Sequence, residues 1–314
     1  MRKQLVLLVS LLSGCGAADK SSPSSPSFSN ALPTRQALDV SLPDGGTQAP
    51  ASAGDPVGTG PSGLYVLTRQ TSDAVNQQVG TVMDTVASMT QNPPAAVGPD
   101  SARWGPFSDA LSPLSWQLVV QEVGPAAYAF TLQLRPKSDA DAGFQPFLQG
   151  ASQGVGADGP NQGTFSVDFD IAHQLDPVGT PQTGQLAAAW QSQAPGREVQ
   201  LRLSGMSPPT GWPTAVDVGA VYAADGSGAL VLDADGTPLG TADGLEVGHV
   251  LSRWSATGAG QAEADLIQGD AGPGAQLTEC WDESFVCVYV SEATPDGGAQ
   301  EGNPSACVFA NPPG

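Results

Sequence analysis

The sequence predicts a mainly β domain: a curved antiparallel meander sheet or partial barrel of about twelve strands, packed around one amino-terminal α-helix. Three observations predict it. A single apolar stripe at helical spacing lies upstream of residue 90. From residue 114 onward apolar and polar residues alternate. Pairs such as Asp-Gly and Gly-Pro then punctuate the alternating runs at short intervals.

The helical stripe is Val75, Val79, Val82, Val86 and Met89, at spacings of 4, 3, 4 and 3, with Met83 widening it. Such spacing keeps all six side chains on one helix face. Thr71, Ser72 and Asp73 offer N-cap groups for a start there, while Leu64 and Leu67 suit an earlier one. Asn92-Pro93-Pro94 ends the helix. Its many Val and Thr residues are poor helix formers, so packing must hold it.

The strands follow. "AYAFTLQLR" sets Tyr128, Phe130, Leu132 and Leu134 against Ala129, Thr131 and Gln133. "TFSVDFDIAH" sets Phe165, Val167, Phe169 and Ile171 against Ser166, Asp168 and Asp170. "EVQLRLS" sets Val199, Leu201 and Leu203 against Gln200 and Arg202. Each pattern describes a half-buried antiparallel strand. Further strands are expected at 114–123, 144–150, 185–193, 215–224, 228–233, 246–256, 261–267, 276–281 and 284–291. Turn signals between them include Gly124-Pro125, Asp139 to Gly143, Asp225-Gly226, Asp235-Gly236 and Asp243-Gly244. A sheet this wide tends to curl or close, and wrapping it around the helix stripe buries both surfaces together. A two-sheet sandwich would leave the helix without a seat. A transmembrane barrel needs aromatic girdles, and aromatics are only 6% of the chain.

The chain front has a different character. Arg2 and Lys3 precede an apolar run, Leu5 to Leu12, followed by Ser13, Gly14 and Cys15. That is the order of a secretory signal. The run is too short to span a bilayer, which takes about 20 apolar residues. Leu12-Ser13-Gly14-Cys15 resembles the lipobox of bacterial lipoproteins. The resemblance implies cleavage between Gly14 and Cys15 and lipid chains on Cys15. Residues 1–14 are then a signal peptide. Gly16 stands where an acidic residue would mark inner-membrane retention, so the resemblance implies the outer membrane. One acyl chain holds a protein marginally and several hold it firmly.

Residues 15–62 are dominated by Ser, Pro, Gly, Ala and Thr. So sparse a set of hydrophobes offsets little ordering entropy, which predicts a disordered tether. As a flexible coil of about 45 residues it would span roughly 40 Å. Residues 63–314 form one β-rich domain.

The formal charge is −20, and it becomes −22 once Arg2 and Lys3 leave with the signal. A nucleic-acid binder needs a basic stripe, and none is present, so no nucleic-acid partner is expected. Direct adhesion to anionic lipid head groups is disfavoured too. The membrane is expected as a partner only through lipid on Cys15.

With Cys15 lipidated, Cys280, Cys287 and Cys307 remain. An exported protein keeps disulfides, and three cysteines allow one bond and one thiol. Cys280–Cys307 is favoured, because Cys287 lies inside the strand Phe285-Cys287-Tyr289; Cys287–Cys307 is the rival pairing. Cys280 and Cys287 are six residues apart, unlike redox or zinc pairs.

Three further sequence patterns bear on this domain. Trp104-Gly105-Pro106-Phe107, Arg253-Trp254 with Gly258-Ala259-Gly260, and Cys280-Trp281-Asp282 with Phe285 and Tyr289 resemble a group of myxobacterial lipoproteins with no assigned activity. In that group the glycine pair is followed by Arg, whereas here Gln261 follows.

Signals for chemistry are few. Gly150-Ala151-Ser152-Gln153-Gly154 matches G-x-S-x-G, but a nucleophile elbow needs a helix after the motif, and "VGADGPNQG" follows instead. His173 and His249 both fall among apolar positions and suit structural roles. Asp233, Asp235, Asp243 and Glu246 cluster in sequence without the spacing of an EF-hand, and paired hairpin turns explain them. No catalytic residue, metal ligand or cofactor site is therefore expected. The sequence predicts a non-enzymatic, lipid-anchored envelope protein with a structural or binding role. The alternative is a carrier holding an apolar ligand in a half-barrel cavity, and a hydrolase comes after that.

Overall fold

The computed structural model describes residues 28–44, 57–108, 112–138, 143–156, 159–193, 196–207, 215–237, 246–268 and 273–309. The chain is mainly β. Fifteen antiparallel strands run in sequence order through one sheet, so every strand pairs with its chain neighbours. Helix α1 spans Gly63–Thr90. The strands are β1 Ala96–Val97, β2 Ser101–Ser108, β3 Leu114–Gly124, β4 Ala127–Pro136 and β5 Gln145–Gly156. After β6 Gly159–Asp168 comes the short helix α2 Phe169–Leu175, then β7 Gln185–Gln193, β8 Gly196–Ser204 and β9 Ala215–Tyr222. The chain ends with β10 Gly228–Thr237, β11 Glu246–Trp254, β12 Gly260–Gln268, β13 Gln276–Trp281, β14 Cys287–Thr294 and β15 Gly297–Gly302. The sheet is open: among the described residues β1 pairs only with β2, and β15 only with β14.

All twelve expected strands are present, as β3 to β14. Alternation puts one side chain in two on a covered face, where Leu118, Val120, Phe130, Leu132, Leu148 and Leu186 are fully buried. Helix α1 lies on that face. Its start is the earlier of the two considered, because Ser62 caps it by accepting the Tyr65 N–H at 3.2 Å. The helix is 28 residues long, or about 42 Å, and crosses the strands. Its amino end meets β13, where Glu279 accepts from the Ser62 hydroxyl at 2.6 Å and the Leu64 N–H at 2.9 Å. Its carboxyl end meets β2, where the Trp104 indole donates to the Asn92 carbonyl at 2.9 Å. Between them Thr68 and Ser252 share a buried hydroxyl contact at 3.1 Å. The helix accommodates its Thr and Ser residues by local bonding: Thr68, Thr71, Ser72, Thr81 and Thr85 each donate to the carbonyl four residues back.

The structure corrects the sequence reading in three places. Residues 28–44, expected within the disordered tether, are folded. Phe28, Ala31, Leu32, Leu38, Val40 and Leu42 are all buried, and the segment's two 3-10 turns, Phe28–Ala31 and Gln36–Leu38, pack on β3, β5, β6 and β7. Phe28 meets the Tyr128 ring edge-on at 6.3 Å. The Val40 N–H donates to Asn76 on α1, and Arg197 donates to the Gln36 and Asp39 carbonyls. Composition averaged over the whole tether hides these few hydrophobes, yet nearly all of them land on the covered face.

The run 164–173 is not one strand. It breaks at Asp168, whose carboxylate caps α2 by accepting the Asp170 N–H at 3.1 Å. Phe169 and Ala172 then face the core from a helix. Three strands also lie outside the expected twelve. In β2 the Gly105-Pro106 pair introduces a bulge between Trp104 and Phe107 that interrupts the alternation. In β15 all six residues are exposed and carry no apolar face. β1 is only two residues long.

Candidate functional site

Because α1, α2 and the 28–44 segment all pack on one face, the other face of the sheet carries no helix among the described residues, and its composition changes along the sheet. On β8 to β12 it carries charge. Arg202 pairs with Asp217 at 3.5 Å, and His249 Nδ1 lies 2.7 Å from Asp233. Asp265 stands opposite His249 in register. Among the described residues, no group of three His, Cys, Asp or Glu side chains is placed to hold a metal ion.

On β4 to β7 the charged side chains of the same face, Arg135 and Asp168, stand toward one end of the strands, and the rows between carry none. Ala129, Ala151, Thr164 and Ala189 are register partners in succession and form one row across four strands. Gln153, Gln162 and Gln191 line one side of the row, and Gln149, Ser166 and Ala187 the other. The row is low because its side chains are small, and the flanking glutamines stand above it. Two cavities of about 480 and 710 Å³ share Thr164, Ala189 and Gln200 and reach past the row, the first to Glu198 on β8 and the second to Arg202, Asp217 and Asp233 on β8 to β10. The carboxamides bond sideways, with Gln162 Nε2 donating to Gln153 Oε1 at 3.0 Å. A carboxamide has two donor hydrogens and two acceptor lone pairs, so each member retains capacity for a ligand. The row can therefore hold a hydrogen-bonding molecule at close approach to the sheet.

The G-x-S-x-G stretch lies in the middle of strand β5. Ser152 is 4% exposed and donates to the Ala31 carbonyl at 2.5 Å. Packing and backbone shape explain both glycines: a Cβ at Gly150 would collide with the Phe130 ring, and Gly154 has φ +73°. His173 lies on α2, not on a strand, with Nδ1 2.9 Å from the Thr180 carbonyl. His249 bonds Asp233. Asp233 and Asp235 lie on β10 and Glu246 begins β11; Asp243 lies outside the described residues.

The helix stripe, whose packing bears on the apolar-carrier expectation, is buried. Val75, Val79, Val82, Met83, Val86 and Met89 are 0 to 7% exposed, and none of them lines the two cavities on the open face. No described helix is long and apolar enough to cross a membrane. Gly14 and Cys15 lie outside the described residues.

At the carboxyl end Cys280 and Cys307 form the disulfide, with Cα atoms 5.4 Å apart. Cys287 stays outside it, 2% exposed, with its sulfur 3.6 Å from the Tyr289 carbonyl. The bond brings residues 303–309 back toward the open face, where Phe309 lies 5.3 Å from the Arg253 guanidinium. Arg253 also pairs with Glu263 at 3.0 Å. Gln261, 4% exposed, donates to Glu263 at 3.0 Å and accepts from Arg253 at 3.4 Å.

The uncharged row carries no mark of its own in the sequence. Its signal lies in the outward positions of the alternating runs, such as Ala129 and Thr131, but only register shows which of them adjoin. Compared with known proteins, the chain matches no family model, no curated protein and no solved structure.

Proposed function

We propose that this is a lipid-anchored protein of the bacterial cell envelope, held in the outer membrane by lipid on Cys15, with a structural or binding role and no catalytic one. The observation that carries the reading is the Leu12-Ser13-Gly14-Cys15 motif, behind a basic start and a short apolar run. The fold supports a binding role by presenting a wide, solvent-facing sheet surface. Twelve residues separate Cys15 from Phe28, the first described residue, which is buried. That stretch reaches roughly 45 Å at most, and the lipid and the domain are joined through it. The side-chain environments of Ser152, His173 and His249 are accounted for by structural hydrogen bonds, in keeping with a non-enzymatic role.

Cell fractionation of a Cys15→Ser variant tests the reading. The expected result is transfer of the protein from the membrane fraction to the soluble exported fraction. Retention of the variant in the membrane fraction would contradict lipid anchorage.

A further inference from the structure

We infer that the uncharged trough on β4 to β7 binds a neutral glycan, a polyhydroxylated chain laid across the strands along Ala129, Ala151, Thr164 and Ala189. The inference rests on the envelope reading only for where such a polymer would be met. Its physical argument is independent of the lipid.

Charge is the first ground. The chain carries 31 Asp and Glu residues against 11 Lys and Arg, and the open face of β8 to β12 shares that character through Glu198, Asp217, Asp233, Glu263 and Asp265. Across the three rows centred on Ala129, Ala151, Thr164 and Ala189 the charge stops, with Glu198 and Arg202 at their margin on β8 and Arg135 and Asp168 toward one end of β4 and β6. An acidic protein repels anionic polymers, so an uncharged window on its surface suits an uncharged partner. The second ground is hydrogen bonding. Carboxamides both donate and accept, as sugar hydroxyls do, and they bind without the desolvation cost of an ion. An apolar ligand would instead strip water from the glutamines and give nothing in return.

Shape and spacing are the third ground. The methyl groups of Ala151, Thr164 and Ala189 give the trough a low floor that suits the C–H faces of sugar rings. Register partners repeat at the strand spacing, about 4.8 Å, close to the rise of one ring in an extended glycan. A chain crossing the strands therefore meets equivalent groups ring after ring.

Native affinity electrophoresis of the full-length protein, extracted in detergent, tests this. The gels contain hydroxyethylcellulose, dextran or mannan, and carboxymethylcellulose serves as the anionic counterpart. The expected result is retardation by at least one neutral polymer and none by carboxymethylcellulose. Ala189→Glu and Thr164→Glu, each placing a carboxylate on the floor, should weaken the apparent affinity by about tenfold or more, with circular dichroism showing both variants folded. Retardation by no neutral polymer would overturn the inference, as would retardation that survives both substitutions. Sedimentation as a dimer that Ala189→Glu dissociates would assign the face to a second copy instead. Running Cys15→Ser beside the native protein separates the two readings, since loss of anchorage leaves the gel result unchanged.

Discussion

The Ser62 hydroxyl donates to the Glu279 carboxylate at 2.6 Å across 217 residues of chain, joining the cap of α1 to strand β13. Glu279 is 1% exposed and also accepts the Leu64 N–H. The carboxylate thus faces the positive end of the helix dipole and satisfies donors that the helix itself leaves open. Glu279→Ala removes the acceptor from buried donors, and the expected loss is about 2–4 kcal/mol of stability. Glu279→Gln retains an acceptor and should lose less. Urea denaturation of both variants checks the order, and equal losses would show that packing rather than the charge matters.

Phe28 fills the covered face beside Tyr128, ahead of the segment's other hydrophobes. Because residues 28–44 are folded into the core, Phe28→Ala should cost about 3 kcal/mol. Thermal unfolding measures it. An unchanged melting temperature would mean that the segment contributes nothing to the fold.

The Cys280–Cys307 bond has a sequence separation of 27 residues. In the chain-entropy model such a loop contributes about 3–4 kcal/mol. Cys307→Ser should lose stability of that order in denaturant melts. A non-reducing peptide map should recover the Cys280 and Cys307 peptides joined. A linked Cys287 peptide would restore the rival pairing.

Burial pushes the Tyr222 hydroxyl well above its ordinary value, and Arg197 over its ring opposes the shift only partly. The hydroxyl donates to the Ser41 carbonyl at 3.1 Å. A folded-state value above the unfolded one means that the folded protein holds the proton more tightly. The associated stability is fully present below about pH 10 and is lost as pH rises beyond it. Unfolding free energies measured from pH 8 upward should fall above that point in the native protein. In Tyr222→Phe the decline should be shallower, and identical slopes would remove Tyr222 as its source.

Much of this architecture is legible in the sequence, for a simple reason. In a meander, contacts follow chain order, so alternation such as Tyr128, Phe130, Leu132 and Leu134 and a turn signal such as Gly124-Pro125 locate both strand and neighbour. What escaped depends on tertiary context. Asp168 ends β6 because its carboxylate finds the Asp170 N–H, a choice that alternation alone does not register. Leu38, Val40 and Leu42 look like strays in a tether until a sheet lies beneath them. The trough is hidden for the same reason: Ala151 and Thr164 adjoin only because β5 and β6 pair in that register.

Intact-mass measurement of the protein extracted from membranes, with fragmentation of its amino-terminal peptide, tests the central claim of lipid anchorage most directly. The account predicts a chain that begins at Cys15 and carries acyl mass on that residue. An unacylated amino terminus, or one that retains residues 1–14, would contradict it.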